Sequence, residues 1–90
     1  MNSDDIQKAK DNLNQHYDWP CVYVFKFIMP TIPNREKELI SMFSVDVDVK
    51  TKISKNAKYR SFTINAVMLS ADEVLEKYAR AGQIKGLISL

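Results

Sequence analysis

The apolar positions of the chain follow two spacings, and their order predicts an α+β fold. From Ser3 to Tyr17 they recur every three or four residues, which is typical of a short helix with a narrow apolar stripe. From Cys21 to Met29 both alternating rows are largely apolar, which indicates a central strand with cover on both sides. One row of this strand holds Tyr23, Phe25, Phe27 and Met29, and the other holds Val22, Val24, Lys26 and Ile28.

A second helix and a charged strand follow. Two prolines end the first strand, and Asn34 can cap the helix. The inward stripe of this helix is predicted to be Leu39, Ile40 and Phe43. Residues 45–53 then alternate between apolar and charged side chains, and the charged row suits an edge strand because it discourages pairing with another chain. The predicted inward row is Val45, Val47, Val49, Thr51 and Ile53, and the outward row is Asp46, Asp48, Lys50 and Lys52.

The last third of the chain predicts a strand, a helix and a final strand. Residues 58–68 form the third strand. Ser70 and Glu73 match a capping box at the start of the helix, and Gly82 is expected to end it in the left-handed conformation. Residues 84–90 are expected to form the fourth strand. The inward row of the third strand is predicted to be Phe62, Ile64, Ala66 and Met68.

After the first helix the predicted order is β-α-β-β-α-β, which folds most simply as a split βαβ, ferredoxin-like domain. We expect a four-stranded antiparallel sheet in the order 4-1-3-2, with both helices on one face. This order places the two-faced first strand in the middle and the charged second strand at an edge. We therefore divide the chain into an N-terminal helical arm, residues 1–18, and a single domain, residues 19–90.

Length and charge narrow the class of protein. The 90 residues suffice for one small domain, and 46% of them are hydrophobic. The 13 basic and 11 acidic side chains leave a net charge of only +2, which argues against nucleic-acid binding by bulk electrostatics. The single cysteine cannot form an intrachain disulfide. No signal peptide or membrane-spanning apolar run is visible, so we expect a cytoplasmic protein without a membrane partner.

Several segments resemble the YbeD-like family of small bacterial proteins of unknown function. The similarity lies in Trp19-Pro20, in residues 25–30 and 58–64, in the capped helix through Tyr78, and in residues 84–90. It covers roughly residues 19–90. The resemblance implies a ferredoxin-like fold similar to the ACT-type regulatory domains of amino-acid biosynthetic enzymes. It implies no activity and no catalytic residues.

Two residue pairs suggest chemistry, and each also has a structural explanation. An imidazole lowers the pKa of a neighbouring thiol, so His16 and Cys21 suggest a nucleophile. Without a positioned third group, a structural cysteine and an exposed histidine explain them better. Asp46 and Asp48 on one strand face suggest a shared cation, but hard cations need more oxygen ligands. We therefore expect no catalytic residue, metal or cofactor.

Two activities that occur on this topology lack their sequence requirements. An acylphosphatase needs a backbone cradle for phosphate, together with an Arg and an Asn. Asn34 and Arg35 are present, but residues 29–33 contain two prolines and no glycine. An RNA-recognition domain stacks bases on several aromatic residues, whereas the outer row of the third strand offers Tyr59 alone. We expect neither activity.

Two surfaces suggest binding. Five bases with no acid between them span the second-to-third strand hairpin and form either a solvated edge or a docking patch for an acidic partner. Apolar residues on the open face of the first strand require a cover, either the N-terminal helix or a second copy of the chain. The apolar stripe of the N-terminal helix is narrow and would cover them only in part, which favours the second copy. The docking patch is Lys50, Lys52, Lys55, Lys58 and Arg60, and the self-association face is Val22, Val24 and Ile28.

The sequence therefore favours a non-enzymatic regulatory or protein-interaction module, with a homodimer or an acidic protein as partner. The alternative is an ACT-like domain that senses a small metabolite at a dimer interface. Such sites use a glycine after the first strand, where this chain has Pro30 and Pro33.

Overall fold

A computed structural model of the chain describes residues 3–43 and 47–90. The strands form one antiparallel sheet in the order β2-β3-β1-β4, which confirms the predicted α+β topology and strand order. The predicted positions of Val45 and Asp46 lie outside the described residues. The elements are α1 (Ser3–His16), β1 (Cys21–Pro30), α2 (Arg35–Ser41), β2 (Asp48–Ile53), β3 (Tyr59–Met68), α3 (Ala71–Ala81) and β4 (Ile88–Ser89).

The core lies between one face of the sheet and the helices α2 and α3. β1 pairs with β3 along its whole length, from Cys21 opposite Met68 to Pro30 opposite Tyr59. This register brings the predicted inward rows of β1 and β3 onto the same face, where burial of apolar area supplies the main stabilisation. The fully buried large side chains are Phe25, Phe27, Met29, Phe62, Ile64, Leu39 and Val74.

Helix α1 lies beside α3 and leaves the open face of the sheet uncovered. Lys10 Nζ forms an ion pair with Asp72 Oδ1 at 2.6 Å, and Leu13 packs against the core. The Tyr17 ring contacts the Tyr23 ring, which lies on the helix-covered side of β1. The apolar stripe of α1 therefore packs on the side of the sheet that carries the other helices. The hypothesis that the N-terminal helix covers the outer row of β1 is wrong.

Two predictions around the end of α3 are wrong. Gly82 ends the helix at φ −62°, in the right-handed region, because the chain continues into turns in which Gln83 N–H donates to Arg80 O and Ile84 N–H to Ala81 O. The left-handed glycine is Gly86, at φ 85°. These turns include several of the residues that were predicted to form the fourth strand, so β4 is only Ile88–Ser89.

Helix α2 and strand β2 also differ in detail from the prediction. Asn34 precedes α2 at φ 73° and its side chain makes no capping hydrogen bond. Leu39 in α2 and Phe43 in the turn after it are buried, whereas Ile40 lies about 100° around the helix from Leu39 and is exposed. The register of β2 confirms its predicted facing, but Thr51 and Ile53 are exposed since a helix of seven residues covers little of this edge.

Candidate interaction surface

The open face of the sheet is the face opposite the helices, and it has an apolar end. In β1 it is formed by the row that alternates with the buried phenylalanines. Val22 and Val24 are 57% and 45% exposed, and Val67, opposite Val22, is 61% exposed. Ile28 lies farther along, beside Ile88 of β4, and is half-buried. The structure thus places Val22 and Val24 together and Ile28 apart from them, with Lys26 between.

The open face also gathers cations. Lys50 and Lys26 both stand opposite Thr63, one from each neighbouring strand, and Lys52 stands opposite Ser61 in the next row. The predicted docking patch did not include Lys26, although the alternation of Lys26 with Phe25 and Phe27 and the predicted strand order together place it on this face. Lys55 and Lys58 lie exposed in the turn that joins β2 to β3. We call these five residues the lysine surface: Lys26, Lys50, Lys52, Lys55 and Lys58.

The charge of the lysine surface is not balanced by ion pairs among the described residues. Within residues 3–43 and 47–90, none of its ammonium groups forms an ion pair or a side-chain hydrogen bond. The acid on the same face of β2, Asp48, accepts a hydrogen bond from Asn65 Nδ2 at 3.3 Å. Thr63 supplies a hydroxyl group between Lys26 and Lys50, and the Ser61 hydroxyl donates to Lys52 O at 3.3 Å. Such a surface can attract carboxylate or phosphate groups.

Arg60 does not belong to this surface. It alternates with Ser61 and therefore lies on the helix side of β3, where its Nε is 3.1 Å from Glu36 Oε1 of α2. The N–H bond is not aimed at the carboxylate, so the contact is an ion pair without a hydrogen bond. The run of five bases that the sequence predicts as one patch is thus divided between two faces.

A shallow concavity of about 170 Å³ marks the hairpin end of the open face. Small-molecule sites usually enclose roughly 300–1,000 Å³. The concavity therefore has room for a side chain of a partner and not for a whole metabolite. It is lined by Ile28, Lys52, Ile53, Ser54, Tyr59 and Ser61.

The loop after β1 offers few free backbone donors. Thr31 N–H donates to Lys58 O at 2.9 Å, and Ile32 N–H donates to Pro30 O at 2.8 Å. Pro33 has no N–H, and Arg35 N–H donates to Ile32 O. Arg35 Nη1 also donates to Lys85 O at 2.7 Å. Because these groups are already engaged, the loop has fewer amides for the backbone cradle on which an ACT-type ligand or a phosphate site depends.

A larger groove of about 490 Å³ separates α1 from α3, and its polar groups are mostly paired. Lys10 and Asp72 bind each other across it. The Tyr78 hydroxyl lies 3.1 Å from the Tyr23 hydroxyl, and burial, followed by this hydrogen bond, raises the pKa of Tyr78 above its ordinary value. Glu76 is then the remaining charged group at the groove. The other walls are Ile6, Leu75 and Ala79.

Among residues 3–43 and 47–90 the structure does not bring His16 and Cys21 together, and Asp46, the predicted partner of Asp48, lies outside those residues. His16 Nδ1 lies 2.8 Å from Asn12 O, and no hydrogen bond joins His16 to the half-buried Cys21. In the described part of the chain no three His, Cys, Asp or Glu residues are grouped to hold a metal ion. None of the described helices is long and apolar enough to cross a membrane. Tyr59 is exposed at the hairpin end of β3, as expected.

The fold and this surface define a small α+β domain distinguished by an open, partly basic sheet face. The sequence profile of the DUF493 family, described as protein of unknown function, matches residues 14–88. The chain belongs to the DUF493 family. The matched region begins a few residues before the predicted domain boundary at residue 19.

A solved relative shows the same architecture. The solution structure of protein HP0495 from H. pylori superposes with a TM-score of 0.67 at 26% sequence identity, covering 82% of this chain and 85% of that chain. No curated protein matches the sequence significantly. These findings confirm a family of unknown function. They show neither membership of a YbeD-like family nor a relationship to ACT-type domains, and both relationships stay predictions.

Proposed function

We propose that the protein is a non-enzymatic, cytoplasmic regulatory or interaction module that binds an acidic segment of a partner protein through its lysine surface. The observation that carries this proposal is the clustering of five lysines on the open face and its hairpin, none of which forms an ion pair within residues 3–43 and 47–90. Exposed cations of one sign attract an acidic partner at long range and orient it on approach. The small concavity beside Lys52 gives such a partner a place for one anchoring side chain.

Two features favour an acidic protein over a nucleic acid. The chain as a whole carries a net charge of only +2, whereas nucleic-acid proteins usually hold a strongly basic balance. Binding of single-stranded nucleic acid also uses several aromatic side chains for stacking. Tyr59 is the aromatic residue that β3 presents on the open face.

The alternative function is an ACT-like sensor of a small metabolite at a dimer interface. It is favoured by the resemblance alone, and the engaged amide groups of Thr31 and Ile32 count against a backbone-lined ligand site after β1. We therefore rank it second. A thermal-shift series with amino acids is its direct test, because a ligand that binds only the folded state raises the melting temperature with concentration.

The proposal is tested with a labelled oligoglutamate peptide as the probe. We expect the triple variant Lys26→Glu, Lys50→Glu, Lys52→Glu to bind the peptide at least tenfold more weakly than the natural protein and with a smaller dependence on salt. The matched control, Lys8→Glu, Lys37→Glu, Lys85→Glu, has the same net charge but changes exposed lysines outside the surface. Its affinity should fall by less than about threefold, because distant exposed charges are screened.

Two results would contradict the proposal. Equal losses in the two triple variants would show that only net charge matters. A single-stranded oligonucleotide of matched charge that binds tenfold more tightly than the peptide would assign the surface to nucleic acid.

A further inference from the structure

The two edges of the sheet differ in how they are protected. The β2 edge carries Asp48, Lys50 and Lys52 within six residues, and alternating charges of this kind oppose pairing with another chain. On the other side of the sheet, among the described residues, β4 and the adjoining Leu90 cover β1 only opposite Lys26, Phe27 and Ile28. The N-terminal half of β1 is therefore a second strand edge, although β1 is a central strand by order.

The backbone groups of this edge point outward without partners. In an antiparallel sheet the N–H and C=O of successive residues alternate between the two neighbouring strands. Leu90 N–H donates to Lys26 O, so the backbone groups of Lys26 point toward β4. Val24 and Val22 lie two and four residues before Lys26, and their backbone N–H and C=O groups therefore point to the same side. No backbone or side-chain hydrogen bond of the described residues reaches the outward groups of Val22 or Val24.

We propose that this edge of β1 pairs antiparallel with the same edge of a second copy of the chain. A twofold axis at Tyr23 places Val22 of each copy opposite the partner's Val24. Both residues of such a pair direct their N–H and C=O toward each other, so the pairing satisfies the outward groups of Val22 and Val24 in both copies. The two sheets become one continuous sheet, and the proposal does not use the lysine surface.

Three properties of the edge identify a second copy as its partner. The segment Cys21-Val22-Tyr23-Val24-Phe25 places a valine on each side of the central tyrosine, so it is complementary to itself in the antiparallel direction. It carries no charge that two copies would bring together. Its length is bounded by Pro20, which lacks an N–H, and by Leu90, which occupies the position beside Lys26.

Amide hydrogen exchange of the full chain at low and high concentration is the direct test. The N–H groups of Tyr23 and Phe25 face β3 and should be protected at every concentration. Those of Val22 and Val24 should gain at least tenfold protection at millimolar concentration, while sedimentation shows the mass rising from 10.4 kDa toward twice that value. A monomeric mass at millimolar concentration, or a dimer in which Val22 and Val24 exchange without protection, would overturn the inference.

Substitutions separate edge pairing from packing of one sheet face on another. Val24→Pro removes an N–H that faces the free edge and no hydrogen bond to β3, and it should weaken the dimer at least tenfold. Val24→Lys, which keeps the backbone, should also weaken it because each copy then places a charge beside the partner's Val22. Val67→Lys changes an exposed residue on the same face but away from the edge, and the dimer should persist. Loss of the dimer in Val67→Lys with retention in Val24→Lys would contradict edge pairing.

Discussion

Lys26 of β1 and Lys50 of β2 flank Thr63 of β3 in a single row across the open face. Two inter-strand spacings put their backbones about 10 Å apart, close enough for one acidic segment to contact both ammonium groups. They are far apart in sequence, and the sheet order alone brings them together. This row is the centre of the lysine surface and the basis of the proposed binding of an acidic partner.

Lys52 and Arg60 lie on opposite faces of the sheet, so reversing their charges should affect the stability of the protein to different extents. Lys52→Glu should leave stability within about 0.5 kcal/mol, because the residue is exposed and forms no ion pair among the described residues. Arg60→Glu should cost about 1 kcal/mol, because it places a second carboxylate against Glu36. Urea unfolding measures both changes. A larger loss of stability in Lys52→Glu than in Arg60→Glu would contradict the assignment of the two residues to different faces.

The two glycines after α3 should respond differently to alanine. A Cβ on Gly86 would lie 3.1 Å from the Pro30 ring, and the residue has φ 85°. Gly86→Ala should therefore destabilise the protein by about 1–2 kcal/mol. Gly82→Ala is the control: its backbone is right-handed and its Cβ would meet ordinary contacts at 3.4 Å or more. Thermal unfolding in which the two variants lose equal stability would show that the left-handed turn at Gly86 is not required.

One substitution in the turn between β2 and β3 should stabilise the protein. Ala57 adopts φ 59° in the turn after Ser54, a conformation that L side chains disfavour. Ala57→Gly should raise the free energy of unfolding by about 0.5–1 kcal/mol. Ala79→Gly, at an exposed position within α3, should lower it by about 1 kcal/mol. Chemical denaturation of both variants checks the opposite signs, and a loss of stability in Ala57→Gly would refute the turn geometry.

Tyr78 should make stability depend on alkaline pH. Burial and the hydrogen bond to Tyr23 raise its pKa above the ordinary value near 10, so the folded state binds the phenolic proton more tightly than the unfolded chain does. This contribution is complete below about pH 10 and is lost as the pH rises further. Tyr78→Phe should therefore lose stability less steeply above pH 10 than the natural protein.

The control for that comparison is Tyr59→Phe, which removes an exposed hydroxyl that makes no hydrogen bond among the described residues. Denaturant unfolding at a series of pH values provides the slopes. If Tyr78→Phe and the natural protein lose stability equally steeply, the proton on Tyr78 does not contribute.

Residue patterns predicted the sheet well because the alternation of side chains along a strand shows which of them point toward the core. The buried row of Phe25, Phe27 and Met29 and the strand order both follow from that alternation and from short connections. Patterns did not predict where the stripe of α1 would pack, since a periodic stripe shows that a helix is covered and not what covers it. They also misassigned Gly82 and Gly86, because either glycine can adopt the left-handed conformation and only the path of the following turns selects one.

The interaction surface was predicted only in part. Lys50, Lys52, Val22 and Val24 follow from strand facing. Lys26 also follows from it but was not grouped with the other lysines, and the register with Thr63 shows that it stands beside Lys50. Arg60 was wrongly grouped with the lysines because neighbours in a strand point to opposite faces. A run of like charges along a hairpin must therefore be divided by strand facing before it is treated as one surface.

The most direct measurement of the proposed function is an NMR titration of the isotope-labelled full chain with the oligoglutamate peptide. The account predicts that amide shifts concentrate at Lys26, Lys50, Lys52 and Thr63 and at the β2–β3 turn, and that they shrink as salt increases. The helices α2 and α3, on the opposite face, should change little. Shifts spread evenly over both faces, or centred on the α1–α3 groove, would contradict the claim that the lysine surface is where this protein binds its partner.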